Sequence, residues 1–596
     1  MNKGIFSFLI FVFSVLSAQQ KPVQIAFLSD VHFQDLYGSF SDNDFKGIIN
    51  PKTGKPTILR TMDAQLHSTR IFNENYFAFL KALDDIARKG IKIVAMPGDF
   101  SDDGQAYNLR GLHKILDKYH QEYGIEFYLT TGNHDPVGPF RKEAGKDDFL
   151  GQDGHPLGIY SKQTLKKQGN SIITKDIAES GYLEILDELK DFGFYPKPGD
   201  LYWSTPFSPY SLKDYFYEKA MQNADYTRRM YDVSEGFPVP DLSYVAEPVK
   251  GVWLMAIDGN TYIPKNTKEN PANAENYKGA GIGYNNVLTH KKHLIEWVKK
   301  TMKEAHRNGK TVIAFTHYPM IDYNDGATQD IKTLLGEKKW QMERVPEEQV
   351  ARAFAEAGLQ IHFAGHMHIN DTGIRKTGNT MLVNIQVPSL AAYIPAYKVL
   401  TIKSPRQMEV RTEVIDEVPG FDELFTLYEK EYEVLQKDSK NTIWNKDILK
   451  SASYHDFMLF HLKELVRLRM IPGDWPKDFI EATENLTGED LLLLVQTEKQ
   501  LEEKHIDKDL YRTWKMQDLI LDLYKFQSAD ELAYKDIPAE RVRQYEVLEK
   551  IFDQYKGEDP LLLRLKSLFK TLFLLSHGDP SDHFEINLKK NSVKRL

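Results

Sequence analysis

Short apolar runs alternate with segments of helical periodicity over the first two-thirds of the chain. Six apolar runs predict strands, and they lie at 23–28, 91–96, 126–129, 252–257, 311–315 and 361–364. Four segments have the three- and four-residue spacing of amphipathic helices, and they lie at 77–89, 112–119, 290–305 and 347–357. This alternation predicts an α/β fold in which helices cover the sheets.

The pattern changes in the last third of the chain. Three further strands are predicted at 381–385, 398–402 and 407–414, and the pair Pro419-Gly420 indicates a boundary. From Phe421 to Leu435 apolar residues recur at helical steps, and comparable patterns continue beyond them. We therefore predict a catalytic domain over 19–415, with a poorly patterned insertion at 136–250, and an all-α C-terminal domain over 420–596.

The first residues have the features of a signal peptide. Lys3 precedes an apolar stretch over 5–16, and Ser17-Ala18 supplies small residues for cleavage before Gln19. The alternative is an uncleaved anchor, but the stretch is shorter than the roughly 20 residues that span a membrane. A signal peptide at 1–18 predicts a secreted or periplasmic protein with no membrane span after cleavage.

Charge and cysteine content narrow the function classes. The formal net charge of -9 argues against a stable complex with nucleic acid, which usually requires a basic face. A small phosphorylated substrate is compatible with this negative charge, because bound metal ions can reverse the sign of the electrostatic field at an acidic site. The chain has no cysteine, so disulfides and thiolate metal sites are excluded.

Polar segments follow five of the predicted strands directly. They are Asp30-Val31-His32, Gly98-Asp99-Phe100-Ser101-Asp102, Gly132-Asn133-His134-Asp135, Thr316-His317-Tyr318-Pro319 and Gly365-His366-Met367-His368. Ligand sites of open α/β sheets form outside the carboxyl ends of the strands. The five segments are therefore expected to converge on one site.

The side chains of these segments are those of a metal site. Carboxylates, imidazoles and a carboxamide suit divalent manganese, iron or zinc. Asp30 and His32 are two residues apart and could face one ion, whereas the two oxygens of Asp99 could bridge two ions. His366 and His368 could each reach a different ion.

The set resembles the calcineurin-like metallophosphoesterase family, whose signature runs D-x-H, GDxxD, GNHD/E, a later His and GHxH. The resemblance covers about residues 23–412 and implies a β-sandwich flanked by helices. It also implies two divalent metal ions. The implied ligands are Asp30, His32, Asp99 and His368 for one ion, and Asp99, Asn133, His317 and His366 for the other.

The resemblance further implies hydrolysis of phosphate esters by a metal-activated hydroxide. His134 would then lie beside the substrate and protonate the leaving oxygen or stabilise the transition-state charge. Asp102 is expected to orient His134, and Asp103 is the rival for that role. A binding protein that keeps the fold without the chemistry is the alternative of another class.

A looser likeness concerns the substrate. The Gly-rich segment 279–283 leads into a helix with Trp297, which resembles the secreted bacterial cyclic-nucleotide-phosphodiesterase-like branch. It favours phosphodiesters of nucleotide type, with a phosphomonoesterase for small exported esters as the alternative. Tyr318 and Tyr323 could stack on a base or pack in the core.

Other residues and the C-terminal helices leave alternatives open. His67 and Arg70 lie between the first two motifs and could contact the substrate, although placement at the surface without function is the favoured interpretation. The C-terminal helices could mediate self-association or dock a partner.

Overall fold

A computed structural model describes residues 22–167, 169–378, 380–438 and 443–596. The predicted signal peptide lies outside these residues. Two seven-stranded sheets form the centre of the molecule, and we call them the first and the second sheet.

The first sheet is mixed. Its strands, in spatial order, are Ser592–Arg595, His583–Asn587, Gln407–Val414, Ala396–Ser404, Val23–Phe27, Ile93–Pro97 and Glu126–Thr130. The last three run parallel to one another, so their carboxyl ends meet at one edge. The remaining pairs are antiparallel.

The second sheet repeats this arrangement. Its strands, in spatial order, are Asp371–Thr377, Thr380–Gln386, Ile361–Ala364, Thr311–Thr316, Val252–Ile257, Tyr244–Val249 and Trp203–Ser204. Four neighbouring strands, from Thr380–Gln386 to Val252–Ile257, are parallel. Strands buried on both faces read as continuous apolar runs, and Val252–Ile257 is buried throughout.

The two sheets pack face to face. The ring of Phe27 in the first sheet stacks on Phe363 in the second, with ring centroids 3.6 Å apart. The hydroxyl of Thr130 donates to the carbonyl of Ile257 across the same interface, at 3.2 Å. The predicted β-sandwich flanked by helices is confirmed.

Helices flank the sandwich and bury one apolar stripe each. In Asn75–Lys89 the buried residues include Ala78, Phe79, Ala82 and Ile86, and the helix ends at Gly90 in the left-handed conformation. The helices before residue 420 are Met62–Leu66, Asn75–Lys89, Ala106–Tyr123, Tyr182–Leu189, Tyr217–Ala224, Val287–His290, Lys292–Arg307, Thr328–Leu335 and Glu348–Glu356.

The region predicted as an insertion at 136–250 is only partly separate. A three-stranded sheet consists of Gly145–Leu150, Pro156–Tyr160 and Ser171–Ile173, and Met230–Ser234 and Phe237–Pro240 form a hairpin. Its strands Trp203–Ser204 and Tyr244–Val249 instead extend the second sheet. The sequence signal was weak because one strand has two residues and the other contains Pro248.

The C-terminal region is helical up to Leu575. Its helices are Phe425–Asp438, Tyr454–Leu465, Ile471–Asp474, Lys477–Thr483, Gly488–Leu493, Glu498–Glu503, Met516–Ala529, Ala539–Asp553 and Pro560–Leu575. The helices from Tyr454–Leu465 onward share a buried apolar cluster with the segment 327–342, to which Ile331, Leu334 and Trp340 contribute. The helices therefore pack directly on the residues that precede Glu348–Glu356.

The prediction that 420–596 is all-α needs one correction. Strand His583–Asn587 pairs with Gln407–Val414, and Ser592–Arg595 pairs with it in turn. Phe584 and Ile586 are fully buried against the first sheet, which explains why this short alternating run is a strand. No helix among the described residues is long and apolar enough to cross a membrane.

Candidate metal centre

The five polar segments meet at the carboxyl ends of the parallel strands. Asp30, His32, Asp99, His366 and His368 all have a positive φ, between 43° and 75°. This left-handed backbone is unfavourable for residues other than glycine, and it concentrates at functional sites. The strand-end turns thus aim these side chains at one point.

Two glycines are required for this close approach. A Cβ atom on Gly365 would overlap Ser29 and the carboxylate of Asp30. A Cβ on Gly132 would overlap the carboxylate of Asp99. Both motifs therefore need a glycine before the ligating residue, because two loops share the space.

The first group of donor atoms comes from Asp30, His32 and His368. Nε2 of His32 lies 3.1 Å from Nε2 of His368, which is 3.4 Å from Oδ1 of Asp30. The carboxylate of Asp30 accepts two bonds from the backbone N–H of His366, each at 3.0 Å. The donor atoms of these three side chains all lie within 4.8 Å of one another.

The second group surrounds Asp99. Its Oδ2 lies 3.2 Å from Nε2 of His317 and 3.8 Å from Nε2 of His32, so one carboxylate faces both groups. Nε2 of His317 is also 3.1 Å from Oδ1 of Asn133 and 3.1 Å from Nδ1 of His366. Asp99 therefore occupies the position that a bridging ligand requires.

The donor set fits divalent cations. Two pairs of ring nitrogens face each other at 3.1 Å, one from His32 and His368 and one from His317 and His366. At this distance at most one nitrogen of each pair can carry a proton between the two rings. Burial, helped by nearby cationic side chains, holds the pKa of His32 and of His366 well below the ordinary value. Both imidazoles are therefore neutral near pH 7, which is the form that binds metal.

The bridging carboxylate is ionised in this environment. Burial raises the pKa of Asp99, but the imidazoles of His317 and His134 outweigh burial and hold it well below its ordinary value. An ionised, buried carboxylate surrounded by imidazole nitrogens is a favourable ligand for a cation.

Backbone carbonyls orient three of the histidines. Nδ1 of His317 lies 3.1 Å from the carbonyl oxygen of Pro97, and Nδ1 of His368 lies 3.4 Å from that of Thr69. Nε2 of His366 lies 2.9 Å from the carbonyl oxygen of Gly281. Each bond leaves the other ring nitrogen free for a metal ion. Sequence reasoning missed these partners, since carbonyl groups carry no residue-specific signal.

His134 lies beside this centre, with its ring 5.1 Å from that of His32. Its backbone N–H donates to Oδ1 of Asp99 at 2.9 Å, and its side chain is 27% exposed. Nδ1 of His134 is hydrogen-bonded to Asp103, whose other oxygen accepts from Lys146. The expectation that Asp102 orients His134 is therefore wrong, and Asp103 has this position.

Asp102 is buried and makes different contacts. Its carboxylate accepts from Nη1 of Arg60 at 3.0 Å and from Nη2 of Arg70 at 3.2 Å. Asp103 adopts a φ of 56°, so the turn separates the two adjacent carboxylates. Arg70 is 12% exposed, whereas the sequence favoured placement at the surface.

Three aromatic residues have structural positions. Tyr318 is fully buried, with its hydroxyl 2.5 Å from Oδ1 of Asn260, and Tyr323 is 3% exposed. Neither offers a face on which a base could stack. Trp297 is 6% exposed and packs in the core.

Comparisons with known proteins agree with this geometry. Residues 23–222 match the family model of the calcineurin-like phosphoesterase domain, a range that includes the first three motifs. No curated protein matches the chain. The motifs around His317 and His366 follow the matched range and reach the same centre through the second sheet.

Three solved structures show distant likeness. A dimetal phosphatase from Danio rerio is 9% identical, with 66% of this chain and 96% of that chain covered and a TM-score of 0.34. An anchor of the inner membrane complex of Plasmodium is 12% identical, with 66% of this chain and 85% of that chain covered and a TM-score of 0.26. A purple acid phosphatase from yellow lupin seeds is 10% identical, with 66% of this chain and 52% of that chain covered and a TM-score of 0.28. Structural similarity this distant gives no information about the substrate.

The fold and the site define a metal-dependent hydrolase of phosphate esters with a dinuclear divalent metal centre. Residues 23–222 carry the domain of the calcineurin-like phosphoesterase family.

Substitution of the central carboxylate tests the ligand assignment. Asp99→Asn should lose at least one of two bound ions per chain and nearly all hydrolysis, because a carboxamide offers one neutral oxygen where two charged oxygens are needed. Elemental analysis of the purified variant measures the loss, with Asp63→Asn at an exposed carboxylate as the matched control. Retention of both ions and comparable turnover would overturn the assignment.

Proposed function

We propose that the protein is a two-metal phosphodiesterase that prefers esters of nucleotide type. The observation that carries the proposal is the convergence of buried imidazoles on the ionised carboxylate of Asp99. When bound, two divalent ions polarise the phosphoryl oxygens and lower the pKa of a water molecule.

The protein side chains divide between two ions in this proposal. One is held by Asp30, His32, Asp99 and His368, and the other by Asp99, Asn133, His317 and His366. The distances of 3.1–3.8 Å between these donor atoms support the division. The carbonyl groups of Pro97, Thr69 and Gly281 fix the rings from behind.

His134 is the general acid of the proposed reaction. Asp103 holds Nδ1 of His134, which leaves Nε2 to give a proton to the leaving oxygen. Lys146 contacts the same carboxylate and keeps it ionised. Because burial opposes ionisation of Asp103, the cation beside it and His134 itself are needed to hold its pKa well below the ordinary value.

The preference for diesters rests on the Gly-rich segment 279–283. Its likeness to the cyclic-nucleotide-phosphodiesterase-like branch is looser than that of the metal motifs. The carbonyl of Gly281 nevertheless contacts the metal-ligand candidate His366, so the segment belongs to the site and not only to the core. A phosphomonoesterase is the alternative that the same centre allows.

We also propose that the protein is exported through cleavage before Gln19, on the evidence of residues 1–18 alone. Self-association through the C-terminal helices stays a prediction.

The substrate class is tested with two esters that share a leaving group. Manganese-loaded protein is offered 4-nitrophenyl phosphate and thymidine 5′-(4-nitrophenyl phosphate), and kcat/KM is measured for each. We expect a higher value for the diester, because the nucleoside supplies binding contacts. A higher value for the monoester would reject the proposed preference in favour of a phosphomonoesterase.

The acid role of His134 predicts a dependence on the leaving group. His134→Asn should keep the metal content and lower turnover by roughly 10²–10⁴-fold for an alkyl alcohol, with a smaller loss for nitrophenolate, which departs without a proton. Asp103→Asn should show the same pattern more weakly. Rates are measured over diesters graded by leaving-group pKa.

The adjacent carboxylate supplies the matched comparison. Asp102→Asn acts on Arg60 and Arg70 and should not steepen the dependence on leaving-group pKa. Equal losses across the series for His134→Asn would contradict the acid role. A dependence that steepens for Asp102→Asn and not for Asp103→Asn would reverse the assignment of the two carboxylates.

A further inference from the structure

Three arginines from distant parts of the chain lie on or beside loops that contact the metal-ligand candidates. Arg70 precedes the helix Asn75–Lys89, Arg344 ends a short 3₁₀ turn over Met342–Arg344, and Arg469 lies in the C-terminal helical region. Two of them, Arg344 and Arg469, have no role in the reaction derived above.

Arg344 lies beside the metal-ligand candidate His366. Its Nη2 is 4.0 Å from the position that a Cβ atom on Gly281 would occupy, and the carbonyl of Gly281 contacts His366. Trp340 and Gln341, shortly before Arg344, both have a left-handed backbone, with φ of 58° and 54°. Strain of this kind persists where the surrounding structure holds a segment in one functional position.

Arg469 lies beside the loop that contacts His368. Its Nη1 donates to the carbonyl of His67 at 3.1 Å, and in the same loop the carbonyl of Thr69 contacts His368. Arg469 belongs to the π-helical turn Val466–Met470, a distortion that frequently marks functional sites. His461, eight residues before Arg469, fixes this loop through bonds of 3.1 Å to the carbonyls of Gln65 and Ser68.

The helical region holds both arginines in place. Trp340, four residues before Arg344, stacks on Tyr524 with ring centroids 4.8 Å apart, and the ammonium group of Lys339 contacts the carbonyl of Gly473. The segment that carries Arg344 is thus packed on the same helices that carry Arg469.

Carboxylates balance the charges of the three guanidinium groups only in part. Arg70 is paired with Asp102, but Arg344 has no carboxylate partner within the described part of the chain. Burial lowers the pKa of Arg469, the carboxylate of Asp474 raises it, and repulsion from the neighbouring charges of Arg70 and Arg344 lowers it further. A bound anion would relieve this repulsion and accept charge-assisted hydrogen bonds.

We infer that Arg344 and Arg469 form a second anion-binding subsite beside the metal centre, and that the substrate is a nucleotide-type ester with a second phosphate group. The inference rests on the proposed function for the position of the first phosphate. It assigns to the C-terminal helical region a part in substrate recognition, since that region supplies Arg469 and supports Arg344.

Binding of product-like nucleotides tests this inference without turnover. Isothermal titration calorimetry on the full, manganese-loaded chain measures the Kd of thymidine 5′-phosphate, thymidine 5′-diphosphate and thymidine 3′,5′-bisphosphate. We expect at least one of the two doubly phosphorylated ligands to bind about tenfold or more tightly than thymidine 5′-phosphate, as charge-assisted hydrogen bonds to two arginines imply.

Two variants locate the effect. Arg469→Gln and Arg344→Gln should each reduce the ratio of the Kd values severalfold toward one. Arg467→Gln is the matched control, because Arg467 lies in the same π-turn but pairs with Glu464 at 2.6 Å. It should keep the ratio of the wild type, and thermal melts confirm that each variant is folded.

The outcomes separate this inference from the proposed function. No preference for either doubly phosphorylated ligand in the wild type, or an unchanged ratio in both Arg469→Gln and Arg344→Gln, would overturn the second subsite. Hydrolysis of thymidine 5′-(4-nitrophenyl phosphate) by the wild type is followed in parallel. Its failure with the ratio intact would reject the proposed diesterase and leave the subsite standing.

Discussion

The carboxylate of Asp99 is the group on which the rest of the site depends. One of its oxygens faces both His317 and His32, and the other accepts the backbone N–H of His134. It therefore connects the two groups of metal donors and positions the turn that carries the proposed acid. Its ionised state in a buried place needs the surrounding imidazoles, and in turn it determines where two cations can be held together.

The two sheets bring ligands to Asp99 because the carboxyl ends of their parallel strands lie on the same side of the molecule. Asp99 follows a central strand of the first sheet, and His317 and His366 follow strands of the second. Neither sheet alone supplies all the metal-ligand candidates. The stacking of Phe27 on Phe363 keeps the sheets in register, so that turns with left-handed backbones meet where glycine leaves room for them. The C-terminal helices then close the edge near His368 through His461 and Arg469.

The sequence predicted the elements whose causes are local. Strands Val252–Ile257 and Gln407–Val414 have the predicted bounds, and the strand-end motifs converge because parallel strands share an edge. The sequence did not predict the features that depend on tertiary contacts. Phe584 and Ile586 form a strand only because Gln407–Val414 offers a free edge, and the backbone at Asp103 decides which of two adjacent carboxylates faces His134. The contact of Arg469 with the site spans some four hundred residues of sequence and leaves no local pattern.

The central claim is that two divalent ions share the carboxylate of Asp99. Anomalous diffraction from crystals loaded with manganese tests it most directly. Two peaks are expected on either side of that carboxylate, about 3.5–4 Å apart as in other two-metal sites, one beside His32 and His368 and one beside Asn133, His317 and His366. A single peak at full manganese occupancy, or two peaks of which one lies beyond reach of Asp99, would contradict it.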